Sequence, residues 1–222
     1  MEVNFIQATT KFQAISPYYS PMVNVPAPYS GNDIYYTAHA YFAVERNPQN
    51  TFVNLPSFKD YFNKIWDGVL YRTPTKEFGP DNHDNYLGSV VGSYLLNDIS
   101  TIRKILFTAI KKMFVLDGVF LGQYVHVWFL AISMCIPLAK WFMFPLNLIV
   151  WLTQKPHHPS QGASPLLLQM MVCNGLDLLY PRLKLYQRWK NKLLQFCGGE
   201  QDVFLEYTKR KEHPLVQIWT KQ

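Results

Sequence analysis

Cysteine is scarce in this chain: Cys135, Cys173 and Cys197 are all there is among 222 residues. Three thiols so far apart exclude a disulfide framework and offer no metal-ligand spacing, so inert, mostly buried cysteines are expected. Charge is thin as well, at 16% of residues. The opening MEVNFIQATTKFQAIS carries an acid at position 2, has no apolar core and lacks an arginine run. That pattern is neither a secretory signal nor a typical transit peptide, which leaves internal targeting signals or prior processing. No catalytic constellation occurs.

Aromatic side chains are plentiful, at 16% with fourteen Tyr, fifteen Phe and six Trp. Such rings gather at protein interfaces and at the headgroup level of bilayers. The formal net charge of +6 is uneven: residues 1–112 hold ten Lys/Arg against nine Asp/Glu, and residues 140–222 hold eleven against five. From Ser16 to Gly31 the run SPYYSPMVNVPAPYSG favours extended backbone, as its four prolines oppose both helix and sheet interior. This segment is expected to lie over a partner surface.

Helical periodicity follows. Asp33 can cap a helix with Ile34, Ala38, Tyr41 and Phe42 on one face, with strand as the alternative for this segment. Ser57 caps another with Phe58, Tyr61, Phe62, Ile65, Trp66 and Leu70 aligned. Tyr86, Leu87, Val90, Val91, Tyr94 and Leu95 mark a third. Between Asn97 and Leu116, Ile102, Ile105, Leu106, Ala109, Ile110 and Met113 form a stripe opposite Arg103, Lys104, Lys111 and Lys112. A basic amphipathic helix directly before a long apolar run predicts an interfacial helix feeding a membrane span.

That run, Gly118 to Ala139, is 22 residues without Asp, Glu, Lys or Arg. As helix it would reach about 33 Å against a hydrocarbon core of roughly 30 Å. Its ten Val, Leu, Ile and Phe residues favour insertion by about 3 to 6 kcal/mol, which Gln123, His126, Ser133 and Pro137 largely offset. A single transmembrane helix over about 113–139 is therefore expected, with Gly118 and Gly122 as a helix-packing pair. Lys111, Lys112 and Lys140 bracket it as candidates for lipid headgroups. The continuation Trp141 to Thr153, broken by Pro145 and Asn147, is too short to cross and is expected at the interface, as a re-entrant piece, or as part of a kinked helix.

His126 in the middle of the run is a functional-site candidate by position. Haem ligation there needs a second axial ligand, and the other histidines lie outside the apolar run, so a neutral histidine hydrogen-bonded to a neighbouring helix is the favoured reading. His83-Asp84 invites a catalytic reading, but a loop histidine beside a helix cap is preferred. His157-His158 lacks the companion clusters of a metal box. Past Ser164-Pro165 comes PLLLQMMVCNGLDLLY, then from Pro181 a basic helix whose Arg188, Trp189, Lys190 and Lys192 are further headgroup candidates, with cardiolipin or RNA phosphates as the anions.

In general character the chain resembles the supernumerary subunits of mitochondrial energy-converting complexes, through its small size, its basic, aromatic-rich composition, its one marginal span, its proline-tyrosine extension and the absence of catalytic residues. The resemblance implies a structural role in an ATP synthase or respiratory complex of the mitochondrial inner membrane. The expected fold is mostly α, in three regions: 1–97 with the extended segment and peripheral helices, 98–154 with the amphipathic helix, span and interfacial segment, and 155–222 as a basic helical region. No catalytic or metal site, no cofactor beyond a bound phospholipid such as cardiolipin, and no nucleic acid are expected; the partners are other subunits and membrane lipid. A haem- or quinone-linked subunit using His126 and a soluble organellar RNA-associated protein are the alternatives.

Overall fold

The computed structural model describes residues 58–72, 76, 83–116, 118–153 and 163–196, with Ile34, Ala38 and Phe42, and without the side chains of residues 119, 163–167, 190 and 192–196. Among these residues eight α-helices, one short 3-10 helix and one two-stranded hairpin occur. The helices are α1 (Phe58–Ile65), α2 (His83–Leu95), α3 (Ile99–Lys111), α4 (Val125–Cys135), α5 (Ala139–Phe142), α6 (Phe144–Thr153), α7 (Ala163–Leu179) and α8 (Leu185–Phe196). Strands β1 (Val115–Leu116) and β2 (Val119–Phe120) fall between α3 and α4. The mostly helical expectation holds.

The centre of the molecule is α2, which packs against α1, α3, α4 and α7. Ten consecutive residues of it, Asp84 to Ser93, are buried. A helix covered on every side must be apolar or small all round, and YLGSVVGS meets that need. Gly92 is small for a reason: a Cβ there would meet the Phe58 ring at 2.7 Å and the Ala38 side chain at 3.0 Å. Ile34, Ala38 and Phe42 are helical and buried, which agrees with the apolar spacing read from them; Asp33, Tyr41 and the proline-tyrosine segment lie outside the described residues. One apolar cluster runs from Ile34 through α1 to α4 and on to Trp189 in α8.

Helix α1 stops at Ile65 rather than continuing to Leu70. Gly68 at φ +69° turns the chain, and Trp66 pairs with Leu70 across that turn. Helix α3 is capped by Asp98, whose carboxylate accepts from the Thr101 hydroxyl at 2.7 Å and from its amide at 3.3 Å. The apolar stripe of α3 is split. Ile102, Ile105, Leu106 and Ala109 face the core, while Ile110 and Met113 are exposed. The buried part lies against α2 and α4, which corrects the expectation that this face is laid on a membrane.

The expected transmembrane helix over about 113–139 does not form, and no helix among the described residues is long and apolar enough to cross a membrane. Three local causes break it. Met113 and Phe114 both take positive φ, at 50° and 59°, which ends the helical path after Lys111. Val115 then pairs with Phe120 and Leu116 with Val119, so the chain reverses as an antiparallel hairpin, with Gly118 at φ +76° in the turn. Finally Pro137 forces Ile136 into extended backbone at φ −121°, ψ 105° and closes α4 at Cys135. The 11 residues left in α4 reach only about 16 Å.

The last two helices form a corner. Pro181–Leu183 is a single 3-10 turn, Lys184 takes φ 49°, and α8 then folds back along α7. The Asp177 carboxylate of α7 accepts from the Leu185 amide at 2.6 Å and the Tyr186 amide at 3.1 Å. An anionic side chain thereby satisfies two otherwise orphaned donors at the positive end of α8.

Candidate functional site: an apolar ledge and a histidine pair

Helix α6, with the sequence FPLNLIVWLT, has no charged residue, and its only buried residue is Asn147, at 2% exposed. Leu146, Ile149 and Leu152 point outward. Just before it, Leu138, Trp141 and Phe142 are exposed too, Trp141 at 66% and Phe142 at 81%. Six large apolar side chains on one short stretch exceed the scattered exposure normal for a protein surface. The Lys140 ammonium sits 5.2 Å from the centre of the Trp141 ring. The stretch forms an apolar ledge with a cation at its entry.

The inward Asn147 explains how so apolar a helix is held with its greasy side out. Its side-chain amide donates to the Ser133 hydroxyl of α4 at 2.9 Å and reaches the Tyr180 hydroxyl at 3.5 Å. Ser133 in turn donates to the Phe129 carbonyl at 2.7 Å, and the Tyr180 hydroxyl donates to the Lys140 carbonyl. Burial pushes the Tyr180 phenol above its ordinary pKa, against the hydrogen bonds from Asn147 and Ser133 that favour the ionised form. One buried polar network thus ties α4, α5, α6 and the end of α7 together. In the sequence Ser133 and Asn147 are interruptions in apolar runs; their pairing, 14 residues apart, has no local signature.

The second feature lies where α4 begins, beside the start of α2. His83 stacks on the Tyr124 ring at 4.2 Å between centroids, and His126 meets His83 edge-on at 5.9 Å. The Asp84 carboxylate is 3.0 Å from Nε2 of His83. Nδ1 of His83 and Nε2 of His126 are buried and have no hydrogen-bond partner among the described residues. Burial, and second the adjacent His83, push the His126 pKa down to about 4, so the His126 imidazole is neutral near pH 7. Among the described residues, Nε2 of His126 does not make the expected hydrogen bond to a neighbouring helix. What the structure supplies is a second histidine, His83 at the first residue of α2, read from the sequence as a loop histidine beside a helix cap.

The remaining sequence candidates separate. Gly118 and Gly122 lie in turns, not on a helix, so they form no helix-packing pair; Gly118 has no neighbour near where a Cβ would sit, and Gly122 is covered by the Phe120 ring. Lys111 is exposed at the end of α3, and Lys112 donates to the Gly68 carbonyl at 3.3 Å. Arg188 is exposed. Trp189 does not reach the surface: it is 4% exposed and its indole N–H donates to the Gln169 side chain at 3.0 Å. The side chains of Lys190 and Lys192, and His157-His158, lie outside the described residues. Among the described residues, no group of three or more His, Cys, Asp or Glu is placed to hold a metal ion. No protein family, curated protein or solved structure matches the chain.

Proposed function

We propose that the protein is a non-catalytic accessory subunit of a large energy-converting complex of the mitochondrial inner membrane, held at the bilayer surface by the α5–α6 ledge. The observation that carries this reading is the inverted burial of α6, polar Asn147 inward and Leu146, Ile149 and Leu152 outward. In water such a helix exposes apolar surface at about 25 cal/mol per Å2, a cost removed when hydrocarbon covers it. Of the surfaces available to such a ledge, lipid fits its chemistry best. The stretch from Trp141 to Thr153 bears no charge, and the Lys140–Trp141 pair at its start matches the residues that settle at the headgroup level. A short amphipathic or apolar element lying in the interface needs no span.

The wider assignment rests on composition: the aromatic content, the basic balance and the proline-tyrosine extension suit a chain spread over neighbouring subunits. Lys111, Lys112 and Lys140 are the side chains offered to anionic headgroups such as cardiolipin. Flotation of the full chain with vesicles of phosphatidylcholine, phosphatidylethanolamine and cardiolipin tests the membrane seat, and co-migration with a large complex in mild detergent tests the accessory role. Flotation with co-migration is expected. A protein that stays in the aqueous fraction yet co-migrates with a complex would show that the ledge meets another subunit instead, and migration alone would overturn the accessory role.

A further inference from the structure

We propose that His83 and His126 form a binding site for a single late first-row transition-metal ion, Cu2+ or Zn2+, with Asp84 as the residue that positions His83. Two nitrogens define it. Nδ1 of His83 and Nε2 of His126 are buried and unpartnered among the described residues, whereas a buried imidazole nitrogen ordinarily finds a hydrogen bond. The rings are also too far apart to satisfy each other and close enough to share an ion. With metal–nitrogen bonds of about 2.0–2.1 Å each ring centre stands about 3.2 Å from the metal, so two ligating rings lie about 5 Å apart at a tetrahedral angle and about 6.3 Å apart in a linear arrangement. The observed 5.9 Å falls inside that interval.

The surroundings agree. Asp84, 3.0 Å from Nε2 of His83, accepts the proton of that nitrogen and leaves Nδ1 with its lone pair, the carboxylate–histidine arrangement that fixes tautomer and raises ligand basicity at metal sites. Tyr124 stacked on His83 at 4.2 Å holds the ring plane. Imidazole donors suit Cu2+ and Zn2+, with Cu2+ the tighter of the two. Two protein donors leave the remaining positions to water or a small exogenous ligand, which must enter with the ion because both nitrogens are buried.

The test uses the purified full chain, stripped with a chelator and titrated with Cu2+ and with Zn2+ against a competing chromophore. One equivalent is expected to bind, with His83→Gln and His126→Gln each weakening it by at least about tenfold, and Asp84→Asn by about tenfold, the range seen for outer-shell partners. A His157→Gln/His158→Gln variant should bind as the parent does. Pulsed electron paramagnetic resonance of the Cu2+ form should show two coordinated imidazoles in the parent, which decides the matter even where a histidine variant fails to fold. A spectrum with one imidazole or none, or binding that survives in the His83→Gln/His126→Gln double variant, or binding lost with His157 and His158, would overturn the site.

Discussion

Helices α4 and α6 are equally apolar in sequence, have similar lengths and bear no charged residue, yet the molecule treats them in opposite ways. In α4 seven residues are buried, among them Val127, Trp128, Leu130, Ala131 and Met134. In α6 Asn147 is inside while Leu146, Ile149 and Leu152 are outside. Hydropathy does not distinguish them; the position of one hydrogen-bonding side chain does. Asn147 finds Ser133 and Tyr180, and that single inward anchor turns Leu146, Ile149 and Leu152 away from the core. Apolar content decides that a segment leaves water, and polar placement decides what it leaves water for.

If α6 is exposed for lipid, the contrast breaks most sharply at its outward face. Replacing Leu146, Ile149 and Leu152 together by Gln should leave thermal stability nearly unchanged and reduce vesicle partitioning by about a thousandfold, since each fully covered side chain contributes at least about 1.5 kcal/mol. Equal partitioning of variant and parent would remove lipid as the ledge's ligand. The matched change in α4, Leu130→Ala, should do the reverse: about 3 kcal/mol lower unfolding free energy in urea, from lost burial plus a cavity, with the α6 face intact. Little loss there would mean that α4 is not core.

Acid sharpens the comparison at the other end of α4. In metal-free protein the His126 imidazole takes a proton near pH 4 when folded and near 6.5 when unfolded. The unfolded state therefore binds more protons between these values, so the contribution is complete above about pH 6.5 and is lost as the pH falls to about 4. The size is about 3 kcal/mol. Urea midpoints measured at pH 7.5 and 4.5 should differ less in His126→Gln than in the parent; an identical difference in both would contradict it. Asn147→Leu leaves the Ser133 hydroxyl without its donor and should cost about 1–3 kcal/mol while loosening α6. Faster amide exchange confined to 139–153 is the signature sought. The smallest effect concerns Cys135, whose thiol burial raises to about 11; it should resist alkylation at pH 8 in the folded chain and react fully once unfolded.

How much of this was legible in the residues can be traced element by element. The periodicity of Phe58, Tyr61, Phe62 and Ile65 and of Tyr86, Leu87, Val90 and Val91 located α1 and α2, because a core-facing stripe imposes a helical spacing whatever it packs on. The span failed because a count of charge-free residues is blind to backbone signals inside the window. Val115-Leu-Asp-Gly-Val-Phe120 carries an Asp-Gly pair between two short apolar runs, a strong local hairpin signal that the apolar tally overrode. Pro137, weighed only as a hydropathy cost, also terminates α4. The approach of His83 to His126 and the pairing of Asn147 with Ser133 and Tyr180 join residues distant in sequence and have no local signature.

The most direct test of the account is the depth of the ledge in a bilayer. Nitroxide labels at Phe142→Cys, Ile149→Cys and, as an exposed reference on α1, which packs on α2, Asn63→Cys, each in a background with Cys135, Cys173 and Cys197 replaced, can be read by power saturation with oxygen and with a polar nickel chelate in cardiolipin-containing vesicles. High oxygen and low chelate accessibility at 142 and 149, with the opposite at 63, is the predicted result. Equal, chelate-rich accessibility at all three sites would contradict the claim that α5–α6 is a seat for lipid.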